Sequence, residues 1–316
     1  MGGNAFPHLE KTGHMTRVKR AYVEPTVRYV VDKMVMPGFD YKYAFANLMG
    51  SAGKQDTSGD LDFAVNNRTA KFVGQAELPV FNLRDFNLRA REFLGDRFVD
   101  SKTLKGGQFQ TAWPVVTSYD GNNATFDLHD DGQPFRVQVD FIAGDPEWLK
   151  FSHWSPGKDN SPWKGVMVST MLGVLAKLHK EFELRDEQNR RVARVGLHFD
   201  LELGLHRKWE YRKLVGNGMS KVDPDYFETK VPNAPRLPRV GYVTNPDAVL
   251  HMLFGKPVLH SEVDTFEKMV VKVRECFPDR YNEVWERFVE AFMGSAGRKE
   301  YDLMEVAFAD VWQLPF

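Results

Sequence analysis

The chain is almost without cysteine, net charge and long apolar runs, and each shortage excludes a class of protein. One cysteine, Cys276, stands among 316 residues. That excludes an intramolecular disulfide framework and any cysteine-rich zinc or iron–sulfur site, and a reducing compartment is expected. The 42 Lys and Arg are matched by 43 Asp and Glu, for a formal net charge of −1. This balance excludes a uniformly basic nucleic-acid binder and an acidic disordered tail, but leaves room for local patches. No apolar run approaches the roughly 20 residues that span a bilayer, so no membrane partner is expected. The opening Met1–Pro7 lacks the charged start and apolar stretch of a secretion signal, and Phe6 stands where a myristoylation signal has Ser or Thr. A cytoplasmic protein is the expectation. With 42% hydrophobic and 27% charged residues, the composition is that of a globular chain long enough for two domains.

Residues 1–24 are polar and basic (Lys11, Arg17, Lys19, Arg20) and read as a loosely packed N-terminal extension. From Pro25, Val27, Tyr29, Val30, Met34 and Val35 recur at helical spacing until Pro37-Gly38. Tyr41–Met49 reads as a buried strand, Gly50–Gly53 as a turn, Leu61–Val65 as a second strand, and Arg84–Phe98 as a helix. The period then changes to two. Trp113–Tyr119, Ala124–Leu128 and Phe135–Ile142 read as strands separated by Asp120-Gly121-Asn122-Asn123 and Asp130-Asp131-Gly132-Gln133, both hairpin turn chemistries. Gly144, Pro146, Pro156, Gly157 and Pro162 mark a linker-like composition. The expected division is an extension over 1–24, a catalytic domain over 25–150 and a mainly helical domain with one or more strands over 151–316. In the latter, Val166–Phe182 reads as an amphipathic helix, 197–205 as an alternating strand and 216–240 as a proline-rich loop. Asn245 and Ser261 are expected helix caps, for helices running to Gly255 and towards Cys276, and a last helix from Asp279 ends at Gly294. Cys276, among apolar neighbours, reads as a small core residue.

The chemistry concentrates between Gly50 and Val65. Asp60 and Asp62, two apart on a strand, project from one face. Clustered carboxylates repel each other and are costly to keep ionised without a cation. A hard divalent ion binds one or two carboxylates together with phosphate oxygens, which such a pair suits. Upstream, the Gly50-Ser51 turn lets backbone approach a ligand closely, and its N–H groups, the Ser51 hydroxyl and the Lys54 ammonium suit a phosphate.

Gly50-Ser51, eight residues and then Asp60-x-Asp62 resembles the signature of the DNA-polymerase-β-type nucleotidyltransferase superfamily. The small Gly-Ser…Ser-Asp-x-Asp enzymes are the most similar, with Gly59 inserted here between Ser58 and Asp60. The Met-Gly-Gly-Asn-Ala-Phe opening and the Gly-Lys-x-Asp-x-Ser-Gly-Asp-x-Asp form also resemble nucleotidyltransferases of viral origin, which would place the protein in a host cytoplasm. The likeness covers roughly residues 25–145. It implies an α+β fold with a nucleotidyltransferase palm, and a third carboxylate on a later strand. Asp140 fits that place, since Val137, Val139 and Phe141 alternate with Arg136, Gln138 and Asp140. It further implies two Mg²⁺ or Mn²⁺ ions on Asp60, Asp62 and Asp140, an NTP such as ATP held by Gly50, Ser51 and Lys54, and transfer of a nucleoside monophosphate to a hydroxyl with release of pyrophosphate. An RNA 3′ end is the first acceptor expected, then a protein hydroxyl, then a small molecule; a non-catalytic nucleotide-binding relic is the alternative from another class.

Other motifs read more plainly. Gly53-Lys54 is not a Walker A loop, because Leu48 and Gln55 occupy the places of its first glycine and its Ser or Thr. Asp127-Leu-His129-Asp130-Asp131 has metal-ligand residue types, but fits a hairpin turn better. His198, Asp200 and Glu202 are expected on the polar face of one strand. Met293–Gly297 repeats Met49–Gly53 and reads as a helix end. The segment Arg207-Lys208-Trp209-Glu210-Tyr211-Arg212-Lys213 interleaves cations with aromatics and is a candidate RNA track.

Overall fold

The computed structural model describes residues 5–66, 81–94, 99–104, 108–157, 165–185, 189, 191–215, 218–222 and 242–296. The chain divides into two compact units, Met1–Met167 with Asp264–Lys268, and Val168–Val263 with Met269–Phe316. It is mixed α+β.

The first unit opens with helix α1 (Pro7–Lys11), the two-residue strand β1 (Val18–Lys19) and helix α2 (Arg20–Met34). The arm is packed. Phe6, Val18 and Val23 are buried, because β1 pairs antiparallel with β2 (Thr57–Ser58) and draws the arm against the motif loop. Helix α2 begins before Pro25, which is its sixth residue and cannot donate an i→i−4 hydrogen bond there. It buries Val27, Val30 and Met34 and ends at Val35, whose φ is 45°.

Tyr41–Ala46 is a helix, α3, where a strand was expected. Asp40 accepts from the Tyr43 N–H and caps it, which outweighs the strand propensity of three aromatics. The Tyr43 hydroxyl then serves the edge of the next strand, donating to Ala64 O and accepting from Asn66 N. Of the expected strand, Leu48 makes an isolated bridge to Phe63.

The central sheet joins β3 (Asp60–Asn66), β4 (Val99–Leu104), β5 (Gln108–Pro114) and β8 (Arg136–Gly144) in the order β3-β8-β5-β4. The β3–β8 pair is parallel and the others antiparallel. Helix α4 covers Leu83–Leu94, and residues 95–98 of its expected span lie outside the described residues. The expected strand Trp113–Tyr119 breaks at Val115, whose N–H turns to Phe135 O, so that β6 (Val116–Tyr119) leaves the sheet to pair with β7 (Ala124–Phe126). Thr26 of α2 is buried against this corner, accepting from Val116 N at 3.0 Å. One sheet face carries Phe63, Phe141 and Phe109 side by side, with stacked ring centroids 5.4–5.7 Å apart and Phe39 edge-on. Asp145 caps helix α5 (Pro146–Ser152), so the proline-rich stretch begins as ordered structure.

The second unit contains most of α6 (Gly165–Leu178), then β9 (Lys180–Arg185), β10 (Arg191–Asp200), β11 (Gly204–Val215) and β12 (Gly218–Val222), an antiparallel sheet in the order β12-β11-β10-β9. Helices α7 (Pro246–Phe254), α8 (Phe266–Cys276) and α9 (Tyr281–Ala296) follow. Where one or more strands were expected among helices, this region carries a four-stranded sheet beside them. The expected helix through Phe182 stops at Leu178, and part of the expected loop 216–240 is β12; 223–241 lie outside the described residues. The alternating 197–205 segment is two strands and their turn, since the Asp200 carboxylate accepts from Glu202 N and Leu203 N and reverses the chain. Asn245 caps α7, and Gly255 ends it at φ 71°. Thr265, not Ser261, accepts from Lys268 N in the first turn of α8. Helix α9 runs through Gly294 instead of ending there, and Cys276 is half-buried rather than in the core. Among the described residues, no helix is long and apolar enough to cross a membrane.

Candidate active site

Period-two geometry separates the central sheet into an aromatic face and a carboxylate face. Asp62 on β3 stands directly opposite Asp140 on β8, and Asp140 opposite Gln110 on β5. One residue along, Phe63, Phe141 and Phe109 form the core row on the other face. Asp60 pairs in register with Gln138 and shares the face of Asp62. The structure thus brings the three sequence-nominated carboxylates together.

The carboxylate face is closed around Asp140, while Asp60 and Asp62 are half-buried. Asp140 is 4% and Gln138 3% exposed, and beyond them Met49, Ala64, Ile142 and Leu149 make a small apolar cluster. Burial, reinforced by the charges of Asp60 and Asp140, pushes the Asp62 carboxyl well above the usual range. Asp60 is pushed up by burial and pulled back in part by the Arg17 guanidinium. Asp140 is pushed up to about 6 by burial, against amide donors that favour its charged form.

Those donors went unforeseen in the sequence. Gln138 Nε2 reaches both Asp140 oxygens at 2.9 Å, while Gln108 and Gln110 donate to Asp140 Oδ2 at 3.0 and 3.2 Å. Gln138 also accepts from Ala5 N, so the N-terminal arm touches this network. Arg17 was likewise missed as a site residue. Its guanidinium donates to Thr57 Oγ1 and Thr57 O, next to the strand that carries Asp60. The only sequence signal was amide residues at alternate positions of two strands, which becomes informative once the register is known.

The Gly-Ser turn is set against the carboxylates by backbone bonds: Met49 N donates to Asp62 O at 2.8 Å, and Ala64 N to Asn47 O at 2.9 Å. Gly50 has φ 66°, and a Cβ there would stand 3.2 Å from Asp62 Oδ2. Glycine is required twice over at this place. Ser51 and Ser58 share a hydroxyl hydrogen bond of 2.7 Å. Lys54 donates to Ser155 O at 3.3 Å with its ammonium 4.4 Å from the Trp154 ring centre, and burial lowers its pKa.

A comparison with protein-family models finds no match. A comparison with curated proteins finds none either. The site therefore stands on its geometry.

The donor set suits a hard divalent cation. Three clustered carboxylates, all with pKa values raised by burial and, for Asp62 and Asp140, further by neighbouring carboxylates, offer oxygen ligands whose charge such an ion would neutralise. The other candidates lie elsewhere in the chain. His198 of β10 pairs with His206 of β11, Asp200 ends the strand and Glu202 sits in the turn, so the three do not share one strand face. Arg207 is half-buried and Lys208 exposed on β11; Trp209, Tyr211, Arg212 and Lys213 are described by backbone alone, and alternate along the strand in register with Val195, Ala193 and, on β12, Lys221 and Ser220.

Proposed function

We propose that the chain is a metal-dependent nucleotidyltransferase, moving a nucleoside monophosphate from an NTP to a hydroxyl and releasing pyrophosphate. The observation that carries this reading is the direct pairing of Asp62 with Asp140, with Asp60 on the same face and Gly50 against Asp62 Oδ2. Asp60, Asp62 and Asp140 would hold Mg²⁺ or Mn²⁺, which supplies charge neutralisation for a triphosphate and acidifies an acceptor hydroxyl. The amides of Gln108, Gln110 and Gln138 fix the Asp140 carboxylate, so that its oxygens are oriented before any ligand arrives. Positioning and charge stabilisation are most of what phosphoryl-type transfer asks of a protein.

The Gly50-Ser51 turn beside Asp62 would receive the phosphates of a nucleotide, and Lys54, held beside Trp154, would add a cation from the same turn. For the acceptor we take an RNA 3′ hydroxyl, on the strength of the cation-rich β11 strand. The test is incubation of the full chain with each labelled NTP and Mg²⁺, together with RNA or lysate protein. Label in RNA that requires Asp60 and Asp62 supports the reading. Label in protein would reassign the acceptor, and no turnover with any NTP would leave a nucleotide-binding relic.

A further inference from the structure

A second group of ligand-type residues lies outside the carboxylate face. The arm residue His14 meets His129 and Asp131 of the turn before β8, with ring centroids of the two histidines 4.6 Å apart. His14 Nε2 is 2.8 Å from Asp131 Oδ2, and His129 Nδ1 is 3.2 Å from Asp131 Oδ1. One donor atom from each of the three lies within 4.8 Å of the others.

The protons of His14 can be assigned from its neighbours. The Thr12 hydroxyl donates to the carbonyls of His8 and Leu9, so its oxygen accepts from His14 Nδ1 at 2.7 Å. With its proton on Nδ1 for this bond, the neutral ring presents an Nε2 lone pair to a carboxylate. That contact is repulsive without a cation, either a proton or a metal. A histidine whose far nitrogen is held by a hydrogen bond, with its near nitrogen aimed at a carboxylate, is how metal-ligating imidazoles are oriented. His129 repeats half of the pattern: its Nε2 faces Gly13 and its Nδ1 faces Asp131, where a metal would replace a long hydrogen bond of 3.4 Å from the Asp131 N–H. Asp131 is oriented in turn by Gln133 N, which donates to Oδ1 at 2.9 Å.

We propose that His14 Nε2, His129 Nδ1 and the Asp131 carboxylate bind one borderline divalent metal ion, Zn²⁺ foremost, which staples the N-terminal arm to the turn before β8. Two imidazoles and one carboxylate suit Zn²⁺ over Mg²⁺, with a fourth position for water. The staple closes a loop between distant parts of the chain. Arg136 N donates to His14 O and Thr16 N to Arg136 O immediately beside it, and the same arm reaches Gln138 through Ala5.

The experiment is a calorimetric Zn²⁺ titration of the full chain in excess Mg²⁺, which occupies hard oxygen sites, together with the visible spectrum of the Co²⁺ form. One equivalent of Zn²⁺ should bind, Co²⁺ should give d–d bands with nitrogen ligation, and amide exchange at Thr16 and Arg136 should slow with Zn²⁺. His14→Ala, His129→Asn and Asp131→Asn should each weaken binding about 100-fold, and Thr12→Val about 10-fold. Asp60→Asn with Asp62→Asn should leave it unchanged, which separates this site from the proposed catalytic one. Circular dichroism checks folding. Should His14→Ala unfold, Thr12→Val and Asp131→Asn decide, the latter keeping a side-chain oxygen for Gln133 N. No saturable binding, or binding that survives these substitutions, overturns the proposal and leaves a His14–Asp131 ion pair.

Discussion

Asp62 and Asp140 face each other across adjacent parallel strands although 78 positions separate them in sequence, and each raises the cost of ionising the cluster for the other. Two consequences follow from this pairing, one for stability and one for activity.

Without divalent metal, the protein should lose stability as pH rises through the carboxylate range. Asp140 has its folded pKa raised from 3.8 to about 6, so the folded state binds more protons than the unfolded one between those values. Its contribution is full below pH 4 and lost as pH passes about 6, a change of order 3 kcal/mol. Melting temperature in EDTA should fall across that window; Mg²⁺ should flatten the fall and Asp140→Asn should lessen it, since Asp60 and Asp62 are raised as well. A melting curve independent of pH there would contradict a buried carboxylate cluster.

Asp60→Ala and Asp62→Ala should leave less than about a tenth of the transfer activity, at least about 1.4 kcal/mol in the barrier, with folding intact. Asp140→Asn should spare NTP affinity and cut turnover. Equal loss of nucleotide affinity in Asp140→Asn and Asp62→Asn, measured by equilibrium binding, would show that Asp140 does not act mainly at the acceptor.

Gly50→Ala combines a left-handed backbone with a Cβ 3.2 Å from Asp62 Oδ2. Gly121→Ala, at φ 96° with open space around it, carries the backbone strain alone. Both should lose about 1–2 kcal/mol in denaturant unfolding. Only Gly50→Ala should also depress turnover, because only there must a carboxylate shift.

On β11, position 209 pairs with the buried Val195, whereas Lys208 is exposed opposite Gly196. Lys208→Ala should flatten the salt dependence of RNA binding by about 0.7 in log–log slope if its ammonium neutralises one phosphate. Trp209→Ala should lower melting temperature and leave RNA affinity in place. The converse, a drop of about 1–3 kcal/mol in RNA affinity at unchanged melting temperature, would instead place a stacked base at that position.

The motif, the alternation of β8 and the hairpin turns were legible in the linear chain because they are local. Asp60-x-Asp62 shares a face by strand period, Val137, Val139 and Phe141 declare their face by apolarity, and Gly121 and Gly132 occupy turn positions that need positive φ. Tyr41–Ala46 misled because a single cap, Asp40, outweighed aromatic strand propensity, and 197–205 misled because its alternation continues across a turn that Asp200 closes. Composition and period by themselves determined a mixed chain of helices and strands and put Asp60 and Asp62 on one face, while Asp140 was nominated by the resemblance, which implies a third carboxylate on a later strand. Only tertiary structure decided that Asp62 faces Asp140, that three glutamines hold Asp140, that Arg17 returns to Asp60 and that His14 meets Asp131, because strand register and the path of the arm depend on contacts between residues far apart in the chain.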